Sequence, residues 1–95
     1  MFAKEPIDLK KLKKENSDKE ILRFALAAEL DAINFYEQMA DYTENKHLKQ
    51  VLLDVAKEEK EHVGEFQTLL LRLDKQQIEM MEEGKEEVKE LLEED

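Results

Sequence analysis

The chain has 95 residues, a formal net charge of -10, 42% charged residues, no Cys, two Gly and one Pro. That length allows one small domain, near the lower limit at which a chain buries an adequate core alone, so association with further copies is expected from size. The acidic balance argues against nucleic acid and anionic membrane surfaces, and the lack of Cys removes disulfides, thiolate zinc sites and a thiol nucleophile.

No run approaches the ~20 apolar residues of a membrane span, and the first residues hold no apolar leader core, so the chain reads as cytoplasmic. Few Gly and Pro among many charges is the composition of a helical protein with few turns. Most of the carboxylates then belong to solvated helix surface.

Residues 1–16 show little periodicity and carry the basic cluster Lys10, Lys11, Lys13 and Lys14. They read as a flexible N-terminal arm. Ser17-Asp18-Lys19-Glu20 is a Ser-x-x-Glu capping box, where a helix starts. Its apolar stripe runs Ile21, Leu22, Ala25, Leu26, Ala32, Ile33, Tyr36, Met39 and Ala40, with Glu29 set between Leu26 and Ile33. The stretch Asp41–Asn45 breaks that pattern with residues that favour caps and turns.

A second helix is predicted from about Asn45 or Lys46 to Leu73, with Leu48, Val51, Leu52, Val55, Val63, Phe66, Leu69, Leu70 and Leu73 on its stripe. Glu59 and His62 occupy stripe positions too. The short connection predicts an antiparallel hairpin over 17–74. Residues 75–95 follow as a weaker C-terminal helix and acidic tail, which Gly84 interrupts at ~1 kcal/mol relative to Ala. The expected fold is all-α, a two-helix hairpin plus a short C-terminal helix. Two helices with one apolar face each do not close a core, so a second hairpin is expected to complete a four-helix bundle. His47 reads as surface and the four Met as apolar filler.

A carboxylate on the dry face of a helix is costly unless something cationic meets it. Glu59 and His62, three residues apart, share one face and can hold one ion between them. Glu29 lies near the middle of the first helix and Glu59 near the middle of the second, so an antiparallel hairpin brings them level. Di-metal helical bundles take a Glu from each of two helices and a Glu-x-x-His from each of the other two. Two copies of this chain supply that set, and their four carboxylates balance two divalent ions. An oxygen-rich site with one imidazole per ion suits iron or manganese, whereas structural zinc favours Cys or more His, and magnesium or calcium has no need of the His. A Glu-x-x-His pair in so Glu-rich a helix is common by chance. Its place on the stripe and the matching Glu29 are what single it out. Tyr36, two turns after Glu29, reads as a core aromatic whose hydroxyl can support a ligand.

The stretches Ala28-Glu29-Leu30-Asp31-Ala32-Ile33-Asn34-Phe35-Tyr36-Glu37-Gln38 and Asp54-Val55-Ala56-Lys57-Glu58-Glu59-Lys60-Glu61-His62 resemble the encapsulated ferritins, ferritin-like cargo of encapsulin nanocompartments. The resemblance covers about residues 18–75. It implies a hairpin that dimerises into a ferritin-like four-helix bundle, with a di-iron ferroxidase centre between subunits. Glu29, Glu59 and His62 match the iron ligands and Tyr36 the tyrosine beside them. It further implies a homodimer assembling into a larger ring, typically a decamer, inside an encapsulin shell. There Fe(II) and oxygen are the substrates and Fe(III) is passed on for storage. An outer cation-uptake site of the family has an acidic residue where this chain has Ala28, while Asp31 keeps its other acid. No Gly-, Leu- and Ser-rich targeting tail follows Asp95, which leaves fusion to the shell, truncation and action outside a shell as open readings. The alternatives to a ferroxidase are a non-catalytic helical homo-oligomerisation module, whose core polar residues fix register, and a metal-buffering protein.

Overall fold

A computed structural model describes residues 17–94. The expected arm, residues 1–16, lies outside them. The described residues form three helices in chain order, α1 (Ser17–Tyr42), α2 (Lys46–Leu73) and α3 (Lys75–Leu91), with no strand among them.

Helix α1 begins at the predicted capping box and runs 26 residues, so it continues through Asp41 and Tyr42, where a break was expected. Polar identity alone does not stop a helix, and Tyr42 extends into solvent without a packing cost. The turn is confined to residues 43–45. The Thr43 amide donates to the Met39 carbonyl at 3.1 Å, and the Asn45 amide donates to Thr43 Oγ1 at 3.1 Å. Asn45 then caps α2: its backbone is extended and its Oδ1 accepts from the Leu48 amide at 3.0 Å.

So short a connection returns α2 antiparallel along α1, and these two helices form the main contact of the structure. The buried residues of the seam are Ala32 and Ala40 on α1 and Ala56 on α2, with Leu70 near the far end. Small side chains there let the backbones approach. Many other stripe residues stay open to solvent, including Ile21, Leu48, Val51, Leu69 and Leu73. One hairpin leaves much of the apolar surface that its pattern presents uncovered.

Asp74 is the single residue between α2 and α3. One of its carboxylate oxygens accepts from the Gln77 amide at 3.2 Å and caps α3, while the other accepts from Arg23 Nη2 of α1 at 3.0 Å. The Gln77 amide bond, with Arg23 and Lys19 nearby, holds the Asp74 carboxyl below its ordinary range against the opposing effect of burial. Helix α3 packs against α2 and not against α1 among the described residues. It passes through Gly84 without interruption, because glycine weakens a helix but still supplies its amide and carbonyl. Met80 and Met81 are exposed on it, so of the described methionines Met39 alone behaves as the expected filler.

The Asn45 cap sets where the hairpin turns. Asn45→Ala is expected to lower stability by about 1 kcal/mol, with Asn45→Asp retaining most of it, as read from urea unfolding.

Candidate metal centre

Register places the centre. Glu29 lies midway along α1, and the antiparallel return of α2 brings Glu59 and His62 to its level. The His62 Nδ1 is 3.4 Å from Glu29 Oε2 and 3.5 Å from Glu59 Oε1. One ligand atom from each of the three lies within 4.8 Å of the others. The two carboxylate side chains are 19% exposed and the imidazole 44%, so the acids sit in the seam and the histidine lies at its open edge.

These contacts are longer than well-formed hydrogen bonds. Glu29 Oε2 is buried and has no hydrogen-bond partner. A buried, unsatisfied carboxylate oxygen is costly, and the groups around it already respond. The Glu59 carboxyl is pushed above its ordinary range, first by its hydrogen-bonding contact with Glu29, then by burial and by the Glu29 charge. Burial works against a charged His62. Its contact with Glu29 and the charges of Glu29, Glu59 and Glu65 outweigh that, and its pKa is raised. Protons thus supply the positive charge that the cluster lacks. A divalent cation supplies it better, since it can meet all three donors at once. The donor set of two carboxylates and one imidazole fits iron or manganese, by the softness and geometry that separate these from zinc, calcium and magnesium.

Tyr36 is half-buried, its ring tilted against that of Phe35 with centroids 5.6 Å apart. Among the described residues no hydrogen bond joins its hydroxyl to Glu29, Glu59 or His62. Asp31 stands apart from the cluster, since two residues along a helix turn its side chain to the far side from Glu29. Its Oδ2 is also buried without a partner. Glu58, Glu61, Glu65 and His47 are exposed, as their pattern predicted.

One feature beside the centre was not evident from spacing. Lys60, directly after Glu59, reaches across to Glu37 of α1 at 2.9 Å. The pairing depends on the rotation of two helices about their seam, and the only available signal was that Glu37 follows Glu29 by eight residues on the same helix.

Residues 4–83 match the model of the EncFtn-like family. Over 72 residues the chain is 62% identical to a ferritin-like-encapsulin shell fusion protein of Pyrococcus furiosus, a stretch covering 76% of this chain and 21% of that protein. It is 45% identical over 56 residues to the encapsulin nanocompartment cargo protein EncC of Myxococcus xanthus, covering 59% of this chain and 43% of that one. The crystal structure of the encapsulated ferritin domain from Pyrococcus furiosus superposes with a TM-score of 0.82 at 52% identity, over 96% of this chain and 93% of that one. The chain therefore spans about a fifth of the fusion protein and less than half of the cargo protein.

A raised His62 pKa means that the metal-free fold is favoured by the imidazolium below the ordinary histidine range, and that this contribution disappears as pH rises through the raised value. The His62 ring resonances of metal-free protein are expected to titrate above the ordinary histidine range. In Glu29→Gln the midpoint is expected to fall, as followed by NMR against pH.

Proposed function

The chain belongs to the EncFtn-like family, and from that premise we propose that it is a ferroxidase, oxidising Fe(II) to Fe(III) with oxygen at a di-iron centre shared by two subunits. The observation that carries this reading is the meeting of Glu29, Glu59 and His62 around a buried carboxylate oxygen without a partner. Three donors from one chain leave most of the coordination of an iron ion unfilled. A second copy, apposed through the stripe residues that one hairpin leaves open, contributes the same three donors. The pair of hairpins is then a four-helix bundle with the centre in its middle.

The roles of the residues follow from their charges. Glu29 and Glu59 bring the negative charge that draws two Fe(II) ions together and stabilises the higher charge of Fe(III). Glu59, which shares a helix face with His62, is the better placed to bridge the two ions. His62 supplies the imidazole that separates this set from an all-oxygen magnesium or calcium site. Fe(II) competes with protons for Glu59 and His62, so affinity rises with pH. Tyr36, two turns after Glu29 on α1, would support a ligand through its hydroxyl. The metal supplies the one-electron chemistry; the chain supplies the charge, the spacing and the partly closed seam.

The two relatives are described as an encapsulin shell fusion and an encapsulin cargo protein. By extension, the partner of this chain is an encapsulin shell, its place is the lumen of that nanocompartment, and its product is iron for storage there. Dimers are arranged in a ring, a decamer by the resemblance. No helix among the described residues is long and apolar enough to cross a membrane.

Addition of Fe(II) in air is expected to produce a ferric absorbance that Glu59→Ala and His62→Ala each slow by about a hundredfold or more, since even residues that only support a ligand cost 10–100-fold. Rates equal to wild type in both variants sink the reading and leave a structural helical oligomer. Binding without oxygen consumption assigns metal buffering instead. Anomalous scattering at the iron edge locates the ions directly.

A further inference from the structure

The centre stands well away from the turn that ties α1 to α2. Glu29 lies fourteen residues before Thr43, where the turn begins, a distance of about 20 Å along the helix. A splay of about 5° at the turn therefore moves Glu29 against Glu59 by roughly 2 Å. The buried residues of the seam are mostly alanines, and contact between small apolar groups has no direction. It holds the helices together without fixing how far either rolls about its own axis.

Two ion pairs supply direction. Lys60 Nζ of α2 meets Glu37 Oε2 of α1 at 2.9 Å, and Arg23 Nη2 of α1 meets Oδ2 of Asp74, the C-cap of α2, at 3.0 Å. Arg23 and Glu37 are fourteen residues apart on the first helix, and Lys60 and Asp74 are fourteen apart on the return. Fourteen residues are two heptads, the interval after which packed helices present the same edge. The pairs thus close one edge of the seam at two heights. They bracket the centre, with Glu29 between Arg23 and Glu37, and His62 between Lys60 and Asp74.

Lys60 stands next to Glu59, and successive residues turn by about 100° around a helix. With Glu59 in the seam, Lys60 falls to one side of it and His62 about 60° to the other. Tethering Lys60 to Glu37 sets the roll of α2 that keeps Glu59 in the seam and His62 at its open edge. Both members of this pair are about half exposed. Exposed ion pairs add little to stability, so what this one contributes is position.

We propose that Glu37 and Lys60 are positioning residues of the metal centre. Their ion pair, with Arg23 and Asp74 at the far end, holds α1 and α2 at the roll that brings Glu29, Glu59 and His62 together around an ion. This rests on the reading of those three residues as iron ligands. Neither Glu37 nor Lys60 is a ligand; each acts through the helix that carries one.

Charge alone and position give opposite signs for one variant. Lys60→Glu puts an anion where a cation stood beside the centre, which by Coulomb attraction alone tightens Fe(II) binding. Loss of position weakens it. Fe(II) is titrated into the full chain without oxygen and followed by calorimetry, so that binding is read apart from turnover. Lys60→Glu and Glu37→Lys are each expected to weaken binding about tenfold, the low end of what residues supporting a ligand cost. Their combination pairs the same charges the other way round and is expected to return affinity to within about twofold of wild type, as coupled neighbours do. Lys60→Arg is expected to bind as wild type does, and helix content by far-UV circular dichroism to stay unchanged throughout. Lys60→Met, which keeps the stem without the charge, is expected to weaken binding as well and replaces Lys60→Glu if that variant folds poorly. Unchanged or tighter binding in these Lys60 variants overturns the proposal, as does failure of the combination to restore affinity, and both leave the ferroxidase reading in place. Wild-type chain that takes up no Fe(II) removes the centre itself, and the proposal with it.

Discussion

Two carboxylates set in the seam between two helices repel each other, and only part of each is open to water that could screen them. Glu29 and Glu59 are in that position, both 19% exposed, with His62 at the rim. Apolar side chains at the same two places would hold the hairpin at least as well. The arrangement is therefore a cost to folding that only a positive charge offsets. Protons offset part of it, as the raised Glu59 and His62 pKa values indicate. The rest of the architecture keeps the three groups level: α1 and α2 of nearly equal length, a three-residue turn closed by Asn45, and alanines at the seam that let the backbones close.

The same geometry explains why so little of the chain is buried. Among the described residues the buried apolar side chains are Ala32, Ala40, Ala56 and Leu70, and no large side chain is fully enclosed. A hairpin has one seam, whereas a bundle has a middle. Apolar stripes wider than a single seam stay open at Val51, Leu69 and Leu73, which is what a layer awaiting another layer looks like. On the proposed reading the incomplete core and the incomplete ligand set share one cause, because the stripe left uncovered is the stripe on which Glu29, Glu59 and His62 stand.

Much of this was legible from residue order. Glu29, Glu59 and His62 announced themselves as polar residues at apolar positions, and a 3.6-residue period fixes which face a residue occupies. The bounds of α2 followed from Asn45 and from Asp74, whose side chains do the capping that their types suggest. What periodicity did not reveal depends on rotation and on reach. Arg23 pairs with Asp74, 51 residues away, and Lys60 with Glu37, through long side chains whose direction is decided only once the helices have docked. The expected break at Asp41 and the expected interruption at Gly84 were read from local preference. Each is too small, at about 1 kcal/mol or less, to end a helix whose flanking turns are formed. Met80 and Met81 were misplaced because an apolar residue on an unpaired helix has no interior to enter.

In the dimer proposed above, pairing of hairpins would couple protonation, metal and assembly. Each subunit of the proposed dimer brings two acids and an imidazole to the same small volume, so without metal the second set arrives against the charge of the first. On that reading association without metal is disfavoured, because like charges meet in a partly dry site. Divalent metal reverses the sign. On the proposed reading it would neutralise both sets at once and bind the dimer in preference to the single hairpin, which favours assembly by the margin of that preference. On that reading a centre that is a liability to one chain becomes the reason for two chains to stay together.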